Sequence, residues 1–201
     1  MRKITVLILV LVLFLCHSSE AGFFDFNPQA NLDNADYMMR INRPLAADKL
    51  INEVINFCKK ENDEVCLANA LFYYGKLLMW SIPDGYDIQK NRNRKIASYI
   101  DKDVTVANVY QKAVEYFEKA LTLAKKHEMN ANASAIYIKI GILQFTRFKD
   151  QAAACDSFDR SLEQHLLFKK KYPDAKVELE DGFKSFEEYI SQGKKEMGCS
   201  K

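Results

Sequence analysis

Residues 109–127 read VYQKAVEYFEKALTLAKKH, and this stretch decides the fold. Tyr110, Ala113, Val114, Phe117, Ala120, Leu121 and Ala124 recur at steps of three and four, which puts them on one stripe of a 3.6-residue helix. Lys112, Glu115, Glu118, Lys119, Lys125 and Lys126 fall on the other face and can remain in water. Ala113 and Ala120 flank the bulky Phe117, so a neighbouring helix can approach closely and receive the ring as a knob.

The same signature recurs along the chain. Ala154, Phe158 and Ser161 repeat it within a helix predicted from Gln151 to about Lys170, and Ala47, Ile51 and Val54 form a weaker copy in a helix opening at Pro44. Between them lie two helices of a second kind. One covers roughly Glu64 to Trp80 with Leu71, Tyr74, Gly75 and Leu78; the other covers about Ala133 to Arg147 with Tyr137, Ile140, Gly141 and Gln144. A glycine in mid-helix costs about 1 kcal/mol relative to alanine, so Gly75 calls for a packing reason such as a close helix crossing. Both kinds of helix recur at one offset of 66 positions: Leu71 maps onto Tyr137, and Ala47 onto Ala113. A shared offset argues for duplication. The unit is a helical hairpin of about 41 residues, the distance from Ala113 to Ala154, interrupted once by an insert.

These markers resemble the tetratricopeptide repeat over residues 45–170, with a longer unit than the family's usual 34 residues. The expected fold is therefore all-α: antiparallel helical hairpins stacked in an array, closed by a C-terminal capping helix carrying Phe183, Phe186 and Ile190. The resemblance implies a concave groove lined by the first helix of each hairpin, holding another protein or peptide. The positions facing it would be Phe72, Lys76, Met79, Trp80, Lys139, Ile142 and Phe145. They lack the lysine, asparagine and arginine set with which some members hold a terminal carboxylate. An apolar groove suits a hydrophobic peptide or an amphipathic helix, and the alternative occupant is a small apolar or lipid-like ligand carried by a secreted protein.

Composition agrees with helices. Seven glycines and four prolines in 201 residues are few for the turns of an all-β chain, and a 48% hydrophobic content can fill one sizeable core. Residues 1–21 stand apart: Arg2 and Lys3 precede an apolar run from Ile4 to Cys16, and Ser19, Glu20 and Ala21 supply a small-x-small site before Gly22. This reads as a cleaved secretory signal, giving a secreted or periplasmic mature chain expected to be soluble. A competing reading keeps Cys16 as a lipidated anchor, although Leu15 is larger than the residue usual before such a cysteine; membrane attachment depends on it. Removing Arg2, Lys3 and Glu20 leaves 27 basic and 26 acidic side chains, so no bulk charge draws the chain toward nucleic acid.

The secretory address and four remaining cysteines, Cys58, Cys66, Cys155 and Cys199, point to two disulfides. Cys58 ends one helical pattern and Cys66 begins the next, with the polar turn KKENDEV between them, so a hairpin can bring them together. Cys155 then pairs with Cys199. No Cys-x-x-Cys occurs, and His127 and His165 read as capping or surface residues rather than zinc ligands. No metal or cofactor motif, nucleophile–base pair or phosphate-cradling glycine loop is visible, so catalysis is not expected.

Three segments fall outside the array. Residues 22–44 read as irregular, with a short helical piece from Asn34 to Ile41 and with Phe23, Phe24 and Phe26 covering a groove of the fold or meeting a partner. Residues 81–104 form an inserted loop with a basic cluster of Lys90, Arg92, Arg94 and Lys95, a binding candidate, and a helical turn at Ile96 to Ile100. Residues 197–201 read as a tail. Asn132, Ala133 and Ser134 form a glycosylation acceptor in what reads as a turn.

Overall fold

A computed structural model describes residues 26–81, 95–96, 98–176 and 182–199. Residues 1–21, expected to be a secretory signal, and Phe23, Phe24, Lys90, Arg92 and Arg94 lie outside these residues. Among the described residues seven α-helices follow one another: α1 Pro28–Arg40, α2 Pro44–Lys60, α3 Glu64–Trp80, α4 Val109–Lys126, α5 Asn130–Leu143, α6 Gln151–Lys171 and α7 Phe186–Glu196. A π turn, Gln144–Phe148, extends α5. The fold is all-α, as the periodicity predicts.

Local chemistry sets the boundaries. Asn27, Asp63, Asp150 and Ser185 each accept a hydrogen bond from a first-turn amide of α1, α3, α6 and α7, satisfying donors that a helix start leaves open. Pro28 and Pro44 stand where the first turn tolerates a missing N–H. Four interhelix turns share one device, a left-handed residue: Asn42, Asn62, Glu128 and Lys149, with φ between 51° and 60°. After each, the next amide reaches back to a carbonyl of the helix just ended: Arg43 to Met38, Asp63 to Cys58, Met129 to Ala124 and Asp150 to Gln144.

Several expected boundaries are corrected. The segment read as irregular up to Asp33 is helical from Pro28, because Asn27 caps it and Leu32 and Ala35 bury its inner face. Helix α5 begins at Asn130, so Asn132 sits in its first turn. The expected helical turn at residues 96–100 is instead an antiparallel bridge between Lys95 and Thr105, followed by a bend at Tyr99 and Ile100. In the tail, Met197 is 7% exposed and Cys199 is held by the expected disulfide.

The stack is assembled by rings set into glycines. A Cβ at position 75 would lie 2.6 Å from Cδ1 and Cε1 of Phe117, and one at position 141 would lie 2.7 Å from Cδ2 of Phe158. Both distances are far inside van der Waals contact, so only glycine lets α3 and α5 seat the ring of the following helix. Ala113, Phe117 and Ala120 are fully buried. In the first hairpin the fully buried Ala35 and Ile51 stand on the matching helices. Phe158 is gripped twice, because a Cβ at position 193 of α7 would lie 2.6 Å from its Cε1. Helix α7 thereby closes the end of the array with Ile190 and Met197 in a second core, beside Ile138 and Ala154.

Packing gives the stack a direction. Helix α3 touches both α1 and α5, whereas the second helices α2, α4 and α6 make no comparable contact with one another. First helices that touch while second helices diverge put α1, α3 and α5 on the inside of a curve. Two disulfides fasten the ends: Cys58–Cys66 spans the α2–α3 turn, and Cys155–Cys199 ties α6 to the residues after α7. The pairing is the one expected from the sequence.

The bridges differ in what they close. With 8 and 44 residues of separation, the chain-entropy relation assigns about 2.5 and about 4 kcal/mol to them. Replacing Cys155 and Cys199 together by serine should therefore accelerate amide exchange throughout α7 while leaving the α2–α4 core protected; equal acceleration in both regions would contradict an end cap.

Candidate functional site

On the inner face, α1, α3 and α5 meet at a cleft of about 180 Å³ lined by Asp36, Met39, Arg40, Lys76, Trp80 and Lys139. Its electrostatic centre is Asp36. One carboxylate oxygen accepts from Lys76 Nζ at 2.5 Å, and the other accepts from Arg40 at 2.6 Å from Nη2 and 2.9 Å from Nε. Burial pushes the Asp36 pKa upward, but the hydrogen bonds from Lys76 and Arg40 outweigh it and hold the carboxyl below its ordinary value. With Lys139 the lining holds three cations against one carboxylate. Trp80, at the last turn of α3, is 67% exposed, more than any other large apolar side chain among the described residues.

The structure brings together three of the seven sequence-derived groove residues, Lys76, Trp80 and Lys139. Phe72 and Met79 pack against the main core, Phe72 with its ring centroid 5.8 Å from that of Phe117. Ile142 and Phe145 pack against the second core beside Phe158 and Ile190. Asp36, Met39 and Arg40 fall within the helical piece expected from Asn34 to Ile41, but nothing in the sequence sets that piece beside the array's inner face. The signal for the whole helix is the cap at Asn27 and Pro28 followed by Leu32, Ala35 and Met39 at helical spacing.

A second polar centre lies behind the inserted loop. Asp48, 1% exposed on α2, accepts from Ser98 Oγ at 2.9 Å and from the Tyr99 amide. Ser98 Oγ also lies 2.9 Å from the Tyr74 hydroxyl and accepts from the amides of Ile100 and Asp101. Tyr74 meets Tyr116 edge to face at 4.5 Å, and the Tyr116 hydroxyl donates to Asp101, which also pairs with Lys112 at 3.3 Å. Val104 and Val106 are buried in the main core. The end of the loop is thus built into the protein. Lys95 belongs to this stem, donating to the Lys102 carbonyl at 3.2 Å.

The histidines and the acceptor site also have structural places. His127 caps α4, with Nε2 2.7 Å from Glu64. His165 is buried rather than superficial, stacked on Phe186 at 4.0 Å, and burial lowers its pKa. Asn132 donates Nδ2, the atom a glycan would occupy, to Asn69 Oδ1 at 2.7 Å between α5 and α3. Among the described residues no group of three His, Cys, Asp or Glu side chains could hold a metal ion, and no helix is long and apolar enough to cross a membrane. No protein-family model, no curated protein and no solved structure matches the chain.

Asp48 is needed as a double acceptor. Asp48→Asn turns one oxygen into an N–H group facing either Ser98 or the Tyr99 amide, and leaving a buried group unsatisfied costs about 1–3 kcal/mol. Urea unfolding at pH 7 should register that loss. Burial raises the Asp48 pKa against the hydrogen bonds that lower it, so the native carboxyl holds its proton more tightly than the unfolded one. Its stability contribution is full below the ordinary carboxylate value and falls as pH rises through the raised one. The advantage of wild type over Asp48→Asn should therefore shrink between pH 4 and pH 7; an advantage that grows would contradict this assignment.

Proposed function

We propose that the chain is an exported, non-catalytic helical-repeat module of tetratricopeptide type that holds a peptide segment of another protein on its inner face. The observation that carries this reading is the inward stacking of α1, α3 and α5 around a cleft from which Trp80 protrudes. A large aromatic side chain standing in water beside charged groups is a common anchor at protein interfaces. Export is supported by the charged and apolar start of the sequence followed by a small-x-small site, and by two disulfides, which persist in oxidising compartments.

The geometry favours a peptide over a carried apolar molecule. Small-molecule sites usually measure about 300–1,000 Å³, whereas the cleft holds about 180 Å³. The larger space between α6 and α7, about 410 Å³, is lined by Asp159, Glu187, Lys194 and Lys195 among others. The inner-face cleft is thus small for a lipid-like ligand.

Affinity capture from the native compartment, with wild-type protein beside Trp80→Ala/Lys139→Glu and a Tyr99→Ala loop control, tests the reading. A polypeptide retained by wild type and the loop control, and at least tenfold depleted on the cleft variant, is the expected outcome. Equal recovery on all three would contradict the inner face as the binding surface, and a small molecule retained in native mass spectra would favour a carrier.

A further inference from the structure

We infer that the Cys155–Cys199 disulfide is a thiol-exchange site: an external dithiol opens it selectively by attack at Cys199, and its opening releases helix α7 from the end of the array. The two disulfides differ in what shields them. Cys58 and Cys66 are 1% and 8% exposed and belong to the main core. Cys155 and Cys199 are both half-buried, and Cys199 lines the cleft of about 410 Å³ between α6 and α7 together with Leu162, Ile190 and Lys195. Cys58 also borders a surface hollow of about 280 Å³, but its near-complete burial leaves an attacking thiolate no approach to the sulfur. Exchange requires a thiolate to reach a sulfur, so access decides which bond opens first.

The exchange proceeds in two displacements. One thiolate of the dithiol attacks Cys199 Sγ through the cleft and forms a mixed disulfide with it, while the Cys155–Cys199 bond breaks and Cys155 leaves as a thiolate that takes a proton from water. The second thiol of the reagent, as its thiolate, then attacks the reagent's own sulfur in the mixed disulfide, and Cys199 leaves in turn. Two electrons pass to the protein's cysteines, and the dithiol ends as a disulfide. Helix α7 depends on the bond that is lost. It has 11 residues, too few for a helix to stand alone in water, and its main neighbour is α6. Its other holds are the Gly193 seat against Phe158, the buried Ile190, the Lys194–Asp159 pair at 2.5 Å and the bond from Gln151 to the Gly198 carbonyl at 2.7 Å, all of which the disulfide keeps at close range. Once α7 leaves, Ile138, Ala154 and Phe158 lose their cover.

Selective reduction of the folded protein tests the inference. Purified protein is treated with dithiothreitol at neutral pH and quenched with iodoacetamide at intervals, and alkylation of each cysteine is read by peptide mass spectrometry. Cys155 and Cys199 should be alkylated at least about tenfold faster than Cys58 and Cys66, and that ratio should collapse toward one when guanidinium unfolds the chain. Equal rates in the folded protein overturn the selectivity, and a ratio unchanged by guanidinium overturns the fold as its cause. Glutathione, a monothiol, should leave its mixed disulfide on Cys199 with Cys155 free; an adduct on Cys155 overturns the assigned point of attack. In protein that retains only the Cys58–Cys66 bond, amides of α7 should exchange at least about tenfold faster while those of α2–α4 keep their protection, and reoxidation should restore slow exchange. Exchange in α7 that reduction does not change overturns the release, whereas the peptide-binding reading stands or falls by its own capture experiment.

Discussion

Everything in this fold depends on two phenylalanine rings seated in glycines. Phe117 lies against Gly75, and Phe158 lies between Gly141 and Gly193, at separations no larger residue could occupy. Each seat fixes the spacing and rotation of one helix pair, and the buried alanines beside the rings let the backbones come that close. Burying a phenylalanine side chain contributes about 1.5–3 kcal/mol, and the mid-helix glycines offset part of this gain. Their cost is tolerated because the alternative is a displaced helix. The helix ends serve the same end. Four left-handed residues turn the chain after α1, α2, α4 and α5, so that each following helix returns antiparallel and presents its stripe to the glycine face.

The consequence for function is positional. With α3 touching both α1 and α5, residues from three separate stretches converge: Asp36 and Arg40, Lys76 and Trp80, and Lys139. None of these stretches looks like a site in isolation. Convergence also organises the charges, since the Asp36 carboxylate spans Arg40 from its own helix and Lys76 from the next. On the opposite side of α3, Tyr74 joins Ser98 and Asp48 in tying down the end of the inserted segment. Helix α3 therefore carries the inner cleft at its end, the glycine seat at its middle and the loop anchor one residue away.

Periodic features were legible in the sequence because they repeat. The second-helix stripe, the glycines at a common offset and the cysteine pairing all follow from spacing, and the structure has each of them. The first half of helix α1 escapes the sequence reading because its apolar face is thin. Leu32 and Ala35 are its only buried residues, and its polar surface reads as a linker until α2 and α3 are placed beside it. The Asp48–Ser98–Tyr74 network was invisible for a different reason. Its members lie 50 and 24 positions apart, and no local pattern distinguishes a serine in a loop from one that holds the loop. The groove residues show the same limit: Phe72, Ile142 and Phe145 are half-buried against the two cores, and helical phase alone does not tell how far a neighbouring core covers a face.

The central claim is that the ring-in-glycine contact sets the helix spacing, and a double-mutant cycle between Gly75 and Phe117 measures it most directly. Gly75→Ala, Phe117→Val and the combined variant are unfolded in urea, the valine removing the ring atoms that face position 75. Helix propensity alone would make Gly75→Ala stabilising by about 1 kcal/mol. Overpacking against the ring should reverse the sign in the wild-type background, to a loss of about 1–3 kcal/mol. In the Phe117→Val background the same substitution should be neutral or stabilising, a coupling of at least about 1 kcal/mol. Gly75→Ala stabilising both backgrounds equally would show that the ring does not occupy the glycine seat, and the account of the stack would fail with it.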